Sequence, residues 1–127
     1  MIYQKLSKHS PHEVEQSLRE AVLHHKFGIL HVLDLKKTLH EKGIELENEV
    51  QIYDVCNPLA ASQALLQDMA AATVLPCRIA VYSNAGGCTI ATVKPTDLFA
   101  ATGLQHANNL AQDVEREIFA IIDEAAA

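Results

Sequence analysis

Cysteine is the residue type in this chain whose placement most readily carries chemistry. Cys56-Asn57-Pro58 closes one apolar stretch, and Leu75-Pro76-Cys77-Arg78 opens the next. Each thiol therefore falls at the end of an expected strand, where folds open side chains to clefts. If Asn57 caps the following helix, Cys56 stands one residue before the cap, beside the partial positive charge of unpaired amides. That placement predicts a thiol acidified below its free value of roughly 8.5 and available as a nucleophile. The competing reading makes Cys56 a small hydrophobe packed under the helix. Cys77 shares strand parity with Ile79 and Val81, which reads as a core face, whereas Arg78 goes with Ala80 and Tyr82. Brought together, Cys56 and Cys77 would hold a soft metal such as Cu(I) or form a reversible disulfide. The spacing permits this only if the loop at 73–75 doubles back. Cys88 lies beside the turn Asn84-Ala85-Gly86-Gly87. A register that sets Cys88 near Tyr82 leaves Cys77 ~16 Å away along the ladder, so no Cys77–Cys88 bridge is expected.

The histidines are His9, His12, His24, His25, His31, His40 and His106. His24 and His25 fall near a helix C-terminus, where a protonated ring is favoured. No His-x-x-x-His pair supports metal binding there. His31 shares strand parity with Phe27, Ile29 and Leu33 and reads as a core histidine with one hydrogen bond. It is also the partner a cysteine nucleophile would use. The glycine turn lacks the lysine and following helix of a phosphate loop.

Composition narrows the class. The chain has 127 residues, 49% of them hydrophobic and 20% charged, as expected for one globular domain. The formal net charge is −6, and the one basic cluster, Lys36-Lys37 with Lys42, is interleaved with Asp34 and Glu41. This balance repels phosphate backbones, so nucleic acid is not an expected partner. No apolar run reaches the roughly 20 residues that span a bilayer, and the start lacks a signal-peptide core. Three cysteines match no disulfide framework and no common zinc spacing. A cytoplasmic, thiol-reduced protein is expected.

The elements that must position the cysteines follow from periodicity and caps. Residues 2–8 alternate as a strand. Ser10, Pro11 and Glu13 form a capping box, and Val14, Leu18, Ala21, Val22 and His25 make one apolar stripe running to about Lys26. A strand is expected at 27–33, a short helix capped by Asp34 and stopped by Gly43, and a strand at 50–55. An alanine- and leucine-rich helix then runs from Pro58 to about Ala72, mostly buried. Strands at 77–83 and 88–94 form a hairpin ended by Pro95. A brief helical turn around Leu98 and Phe99 precedes a helix from about Gln105 to Asp123. In that helix Leu110, Val114, Ile118 and Ile121 face inward, and Asp113, Glu115, Arg116 and Glu117 face outward. The order β-α-β-α-β-α-β-β-α predicts an α+β fold, with a mixed or antiparallel sheet and helices mainly on one face.

From Phe27 to Leu98 these motifs resemble the domain-of-unknown-function family 302. The matching residues are Phe27-Gly28, Asp34-Leu35-Lys36 with Leu39 and Lys42-Gly43, Cys56-Asn57-Pro58 with Ala60, Ala64 and Leu65, Leu75-Pro76-Cys77-Arg78, Val81-Tyr82 and Pro95. The resemblance covers most of the chain and implies one α+β domain over 1–127, commonly a homodimer. The family has no established general activity, so the resemblance names neither a reaction nor a cofactor. The expected function is a binding or sensing module for a small molecule or soft metal, with a cleft at Cys56, Asn57, Pro76, Cys77 and Arg78. The alternatives are a thiol-dependent redox or sulfur-handling enzyme using Cys56 and a structural interaction domain.

Overall fold

A computed structural model describes residues 1–104 and 107–127; His106 lies outside the described residues, as does the expected start of the last helix at Gln105. The strands are β1 (Ile2–Ser7), β2 (Gly28–Asp34), β3 (Val50–Cys56), β4 (Cys77–Asn84) and β5 (Gly87–Val93). The helices are α1 (Pro11–His24), α2 (Leu35–Glu41), α3 (Pro58–Gln67), α4 (Pro95–Ala101) and α5 (Asn108–Ala126), with a 3-10 segment at Met69–Thr73. The sheet order is β1-β5-β4-β3-β2, and every neighbouring pair is antiparallel. This is the expected α+β fold, with the sheet wholly antiparallel.

Local chemistry explains the boundaries. In α1 the Ser10 hydroxyl accepts from the Glu13 amide at 3.2 Å, and the Glu13 carboxylate accepts from the Ser10 amide at 3.0 Å. These two bonds satisfy donors that an uncapped helix leaves open. The helix stops at His24 because Lys26 turns into the left-handed region at φ 63°. Asp34 caps α2 by accepting from the Lys37 amide at 3.0 Å.

The expected helix to Ala72 is divided. α3 ends at Gln67, Asp68 adopts an extended conformation, and its carboxylate accepts from the Ala70 amide to start the 3-10 segment. Nor is α3 mostly buried: Ala64 is its one buried residue among those described, and Leu59 and Leu66 are exposed. Alanine-rich composition reflected close approach at one point rather than burial all round.

The main core lies between one sheet face and helices α1 and α5. Tyr53, Val55, Ile79, Val81 and Ile90 meet Val14, Leu18, Val22, Ile118, Ile121 and Ile122, all essentially fully buried. A smaller core gathers Ala64 of α3, Ala71 of the 3-10 segment, Phe99 of α4 and Ala111 of α5 with Leu104 and Ala107, which lie between α4 and α5. Glu115 does not simply face outward, since its carboxylate accepts from the Thr96 amide and hydroxyl at the start of α4.

The opposite sheet face carries rows set by the register. One row is Leu6, Thr89, Tyr82 and Val50; the next is Gln4, Ala91, Ala80, Ile52 and Leu33. A third brings Arg78, Asp54 and His31 side by side.

His31 is a correction. The β2–β3 register shifts between Ile29 and His31. The extra residue reverses the parity that a uniform strand would have. Val32 then packs on the core, and His31 is exposed beside Asp54, Nδ1 to Oδ2 3.8 Å.

The hairpin turn is tighter than expected, with Asn84 opposite Gly87 and Cys88 opposite Ser83. Gly87 has φ +148°, and a Cβ there would stand 2.2 Å from the Ser7 carbonyl oxygen, so only glycine fits. Cys88 is fully buried, and all three cysteines are free.

Candidate functional site

The β3–β4 pairing delivers the two cysteines to one place. Val55 lies opposite Cys77, so the end of β3 and the start of β4 put Cys56 and Cys77 at the same edge. Asn57 caps α3, its side-chain oxygen accepting from the Ala60 amide at 3.1 Å. Pro58 follows at the first helical position, where its missing N–H costs nothing. The chain leaves the 3-10 segment at Val74 and returns through Leu75 and Pro76 to β4.

Two adjoining pockets result. The inner one, about 30 Å³, is lined by Cys56, Asn57, Pro76 and Cys77 with Phe27, Val55, the alanines 60, 61 and 64, Leu75, Pro95, Phe99, Leu110, Ala111 and Val114. It sits at the seam between the two cores and is almost wholly apolar. The outer one, about 260 Å³, shares Leu75, Pro76, Cys77, Pro95 and Phe99 and adds Thr73, Val74, Arg78, Thr92, Val93 and Leu98. The five residues singled out in the sequence thus border one cleft: four in the inner pocket, and Arg78 at the outer mouth beside Pro76 and Cys77.

The aromatic and alanine walls were not recognised from the sequence. Ala60, Ala61 and Ala64 carried a usable signal, since small residues on one face of a capped helix leave room beside it. Phe99 and Leu110 carried none, because α4 and α5 reach the cleft through tertiary packing.

Electrostatics contradict the expected acidification of Cys56. Its thiol is pushed above the ordinary cysteine value by desolvation. Burial pushes Cys77 further, to about 11, and the nearby Cys56 adds to the effect. The helix mouth does not offset this. Asn57 already supplies the oxygen that an α3 amide needs, and the Cys56 sulfur meets an apolar wall. Both thiols are protonated at neutral pH. His31 borders neither pocket. Arg78 is exposed and pairs loosely with Asp54, Nε to Oδ1 3.7 Å.

An antiparallel five-stranded sheet, helix-covered on one face and indented by a two-cysteine cleft, defines a small α+β protein. The chain belongs to the family described as domain of unknown function DUF302, which it matches over residues 3–125. It is similar to a crystal structure titled as an uncharacterized conserved DUF302 protein from Bacillus stearothermophilus, at 27% identity and TM-score 0.93, covering 98% of this chain and 97% of that one. No curated protein matches the chain. No helix among the described residues is long and apolar enough to cross a membrane.

Proposed function

We propose that this protein is a binding module for a small ligand with an apolar body and an anionic end. The observation that carries the reading is the joining of the two pockets at Leu75, Pro76, Cys77, Pro95 and Phe99. The inner recess takes a group about the size of a methyl. The outer pocket takes the body, and Arg78 meets the negative charge. Such a layout, apolar walls with few polar groups, is typical of ligand sites.

The paired thiols support a second occupant of the same cleft, a soft metal ion, because a metal replaces the proton that burial otherwise retains. A thiol enzyme using Cys56 as nucleophile is supported less. Desolvation raises the thiol's pKa, and among the described residues no histidine borders these two pockets. Three free thiols suit a reducing compartment such as the cytoplasm.

We also propose a homodimer through the sheet face opposite α1 and α5. That face is half apolar, with Ile2 and Leu6 exposed. Its Arg78, Asp54 and His31 row carries both signs of charge, so a second copy related by a two-fold axis presents a complementary row.

The ligand reading is tested with 8-anilinonaphthalene-1-sulfonate, which has an apolar ring system and a sulfonate. Wild type is expected to bind it saturably. Ala61→Leu, which fills the inner recess, and Arg78→Ala, which removes the cation, are each expected to weaken it. Native mass spectrometry with metal analysis of the purified protein reports any carried occupant. A probe that fails to bind, or binds all three proteins alike, overturns the reading.

A further inference from the structure

The C-terminal end of α1 meets the last turns of α5 through three metal-ligating side chains that have no part in the cleft. His25 contributes Nε2, 2.7 Å from Oε1 of Glu124. His24 contributes Nδ1, 3.4 Å from Oε2 of the same carboxylate. The three donor groups lie within 4.8 Å of one another. Ligands around a zinc ion, each about 2.0–2.1 Å from the metal, stand a little over 3 Å apart in a tetrahedron. Small side-chain adjustments therefore suffice to enclose one ion.

Two further features distinguish this group from an ordinary surface ion pair. The other ring nitrogen of His25, Nδ1, faces Oε2 of Glu117 at 2.5 Å. A carboxylate on the far nitrogen is the usual partner of a metal-bound imidazole: it fixes the tautomer and turns the near nitrogen toward the ion. The His25 side chain is 17% exposed, so its ring is held rather than free. Beside the group a pocket of about 310 Å³ is lined by Ser17, Glu20, Ala21, His24 and Glu124. It leaves space for water, or for the Glu20 carboxylate, to complete a fourth position.

We infer that His24, His25 and Glu124 form a site for a divalent cation of the Zn²⁺ type, with Glu117 as the residue that orients His25. Imidazole nitrogens with one carboxylate suit that class of ion better than Mg²⁺ or Ca²⁺, which require oxygen donors. On binding, the ion takes the place of the proton on His25 Nε2, and that proton passes to solvent. The ion ties α1 to α5 across the joint that closes the main core. The inference is independent of the cleft and its occupant.

The test is titration of the full-length, metal-stripped protein with Zn²⁺ by calorimetry, followed by Co²⁺ spectroscopy to report ligand type. One equivalent is expected. The dissociation constant should rise at least tenfold in His24→Ala and in Glu124→Gln. Glu117→Gln should weaken binding within the 10–100-fold range of an orienting partner while keeping the stoichiometry at one. Both His24 and Glu124 are exposed, so these variants are expected to fold. The paired substitution Cys56→Ser with Cys77→Ser should leave this equivalent intact, and the Co²⁺ spectrum should lack thiolate charge-transfer bands. Absence of saturable binding, indifference to His24→Ala, or an equivalent lost with the cysteines overturns the inference.

Discussion

Desolvation sets the chemistry of the two cleft thiols. Cys56 and Cys77 are each raised by it, Cys77 to about 11. At pH 7 iodoacetamide should modify both more slowly than a free cysteine, Cys77 much more slowly than Cys56, with rates climbing as pH rises. Peptide mass spectrometry resolves the two sites, and rapid alkylation of Cys56 at neutral pH would contradict the burial argument. The same shift links to stability. Cys77 has a folded value raised by burial to about 11, so the folded state holds a proton that the unfolded chain releases. Its contribution is complete below about pH 9 and is lost as pH rises to 11. Chemical denaturation across that window should show a shallower loss in Cys77→Ser than in wild type. The identity and edge placement of both cysteines were legible in the sequence because strand ends and a helix cap are local features. Their protonation was not, because it depends on walls supplied by Phe99, Leu110 and Val114 from elements distant in sequence.

Elements with local signals formed where those signals stood. The Ser10 box, the Asp34 cap and the Asn57 cap all begin helices as their side chains dictate. Removing the Asn57 oxygen in Asn57→Ala should cost about 1 kcal/mol and loosen the wall of the cleft, measurable by urea unfolding. The failures have a common cause. The parity of β2 changed at a bulge, which alternation cannot reveal, and His31 went from expected core to exposed face. The helix after Pro58 broke at Asp68, a competent cap within a run of helix formers. The β4–β5 hairpin depends on Gly87, where neither the positive φ nor the close Ser7 carbonyl admits a side chain. Gly87→Ala should destabilise the fold by about 2 kcal/mol or more, seen as a lower urea midpoint. A midpoint equal to wild type would show that β1 can withdraw from the hairpin.

For the whole molecule, the distribution of apolar surface matters more than its amount. One sheet face is sealed by α1 and α5, and the other keeps Ile2, Leu6 and a mixed-charge row. Ala80 sits near the middle of that face, between Ala91 and Ile52. For the sheet-face dimer proposed above, Ala80→Glu should give a monomer in sedimentation while leaving the circular dichroism spectrum unchanged. A wild type that is monomeric at high concentration would remove the dimer from consideration. The order of motifs allowed an α+β fold with a mixed or antiparallel sheet to be anticipated, but that every pair is antiparallel and which face stays bare follow from strand and helix placement. The division into two cores has a consequence for motion. The lesser core rests largely on alanine methyl groups, which contribute little contact per residue, while leucine, isoleucine and tyrosine fill the greater one. Amide exchange should accordingly be quicker over 58–75 than in β3 and β4, as low contact density allows local opening. The recess lies where these unequal halves touch, so a guest lodged there acts as mortar, slowing the exchange of the weaker half without altering the sheet.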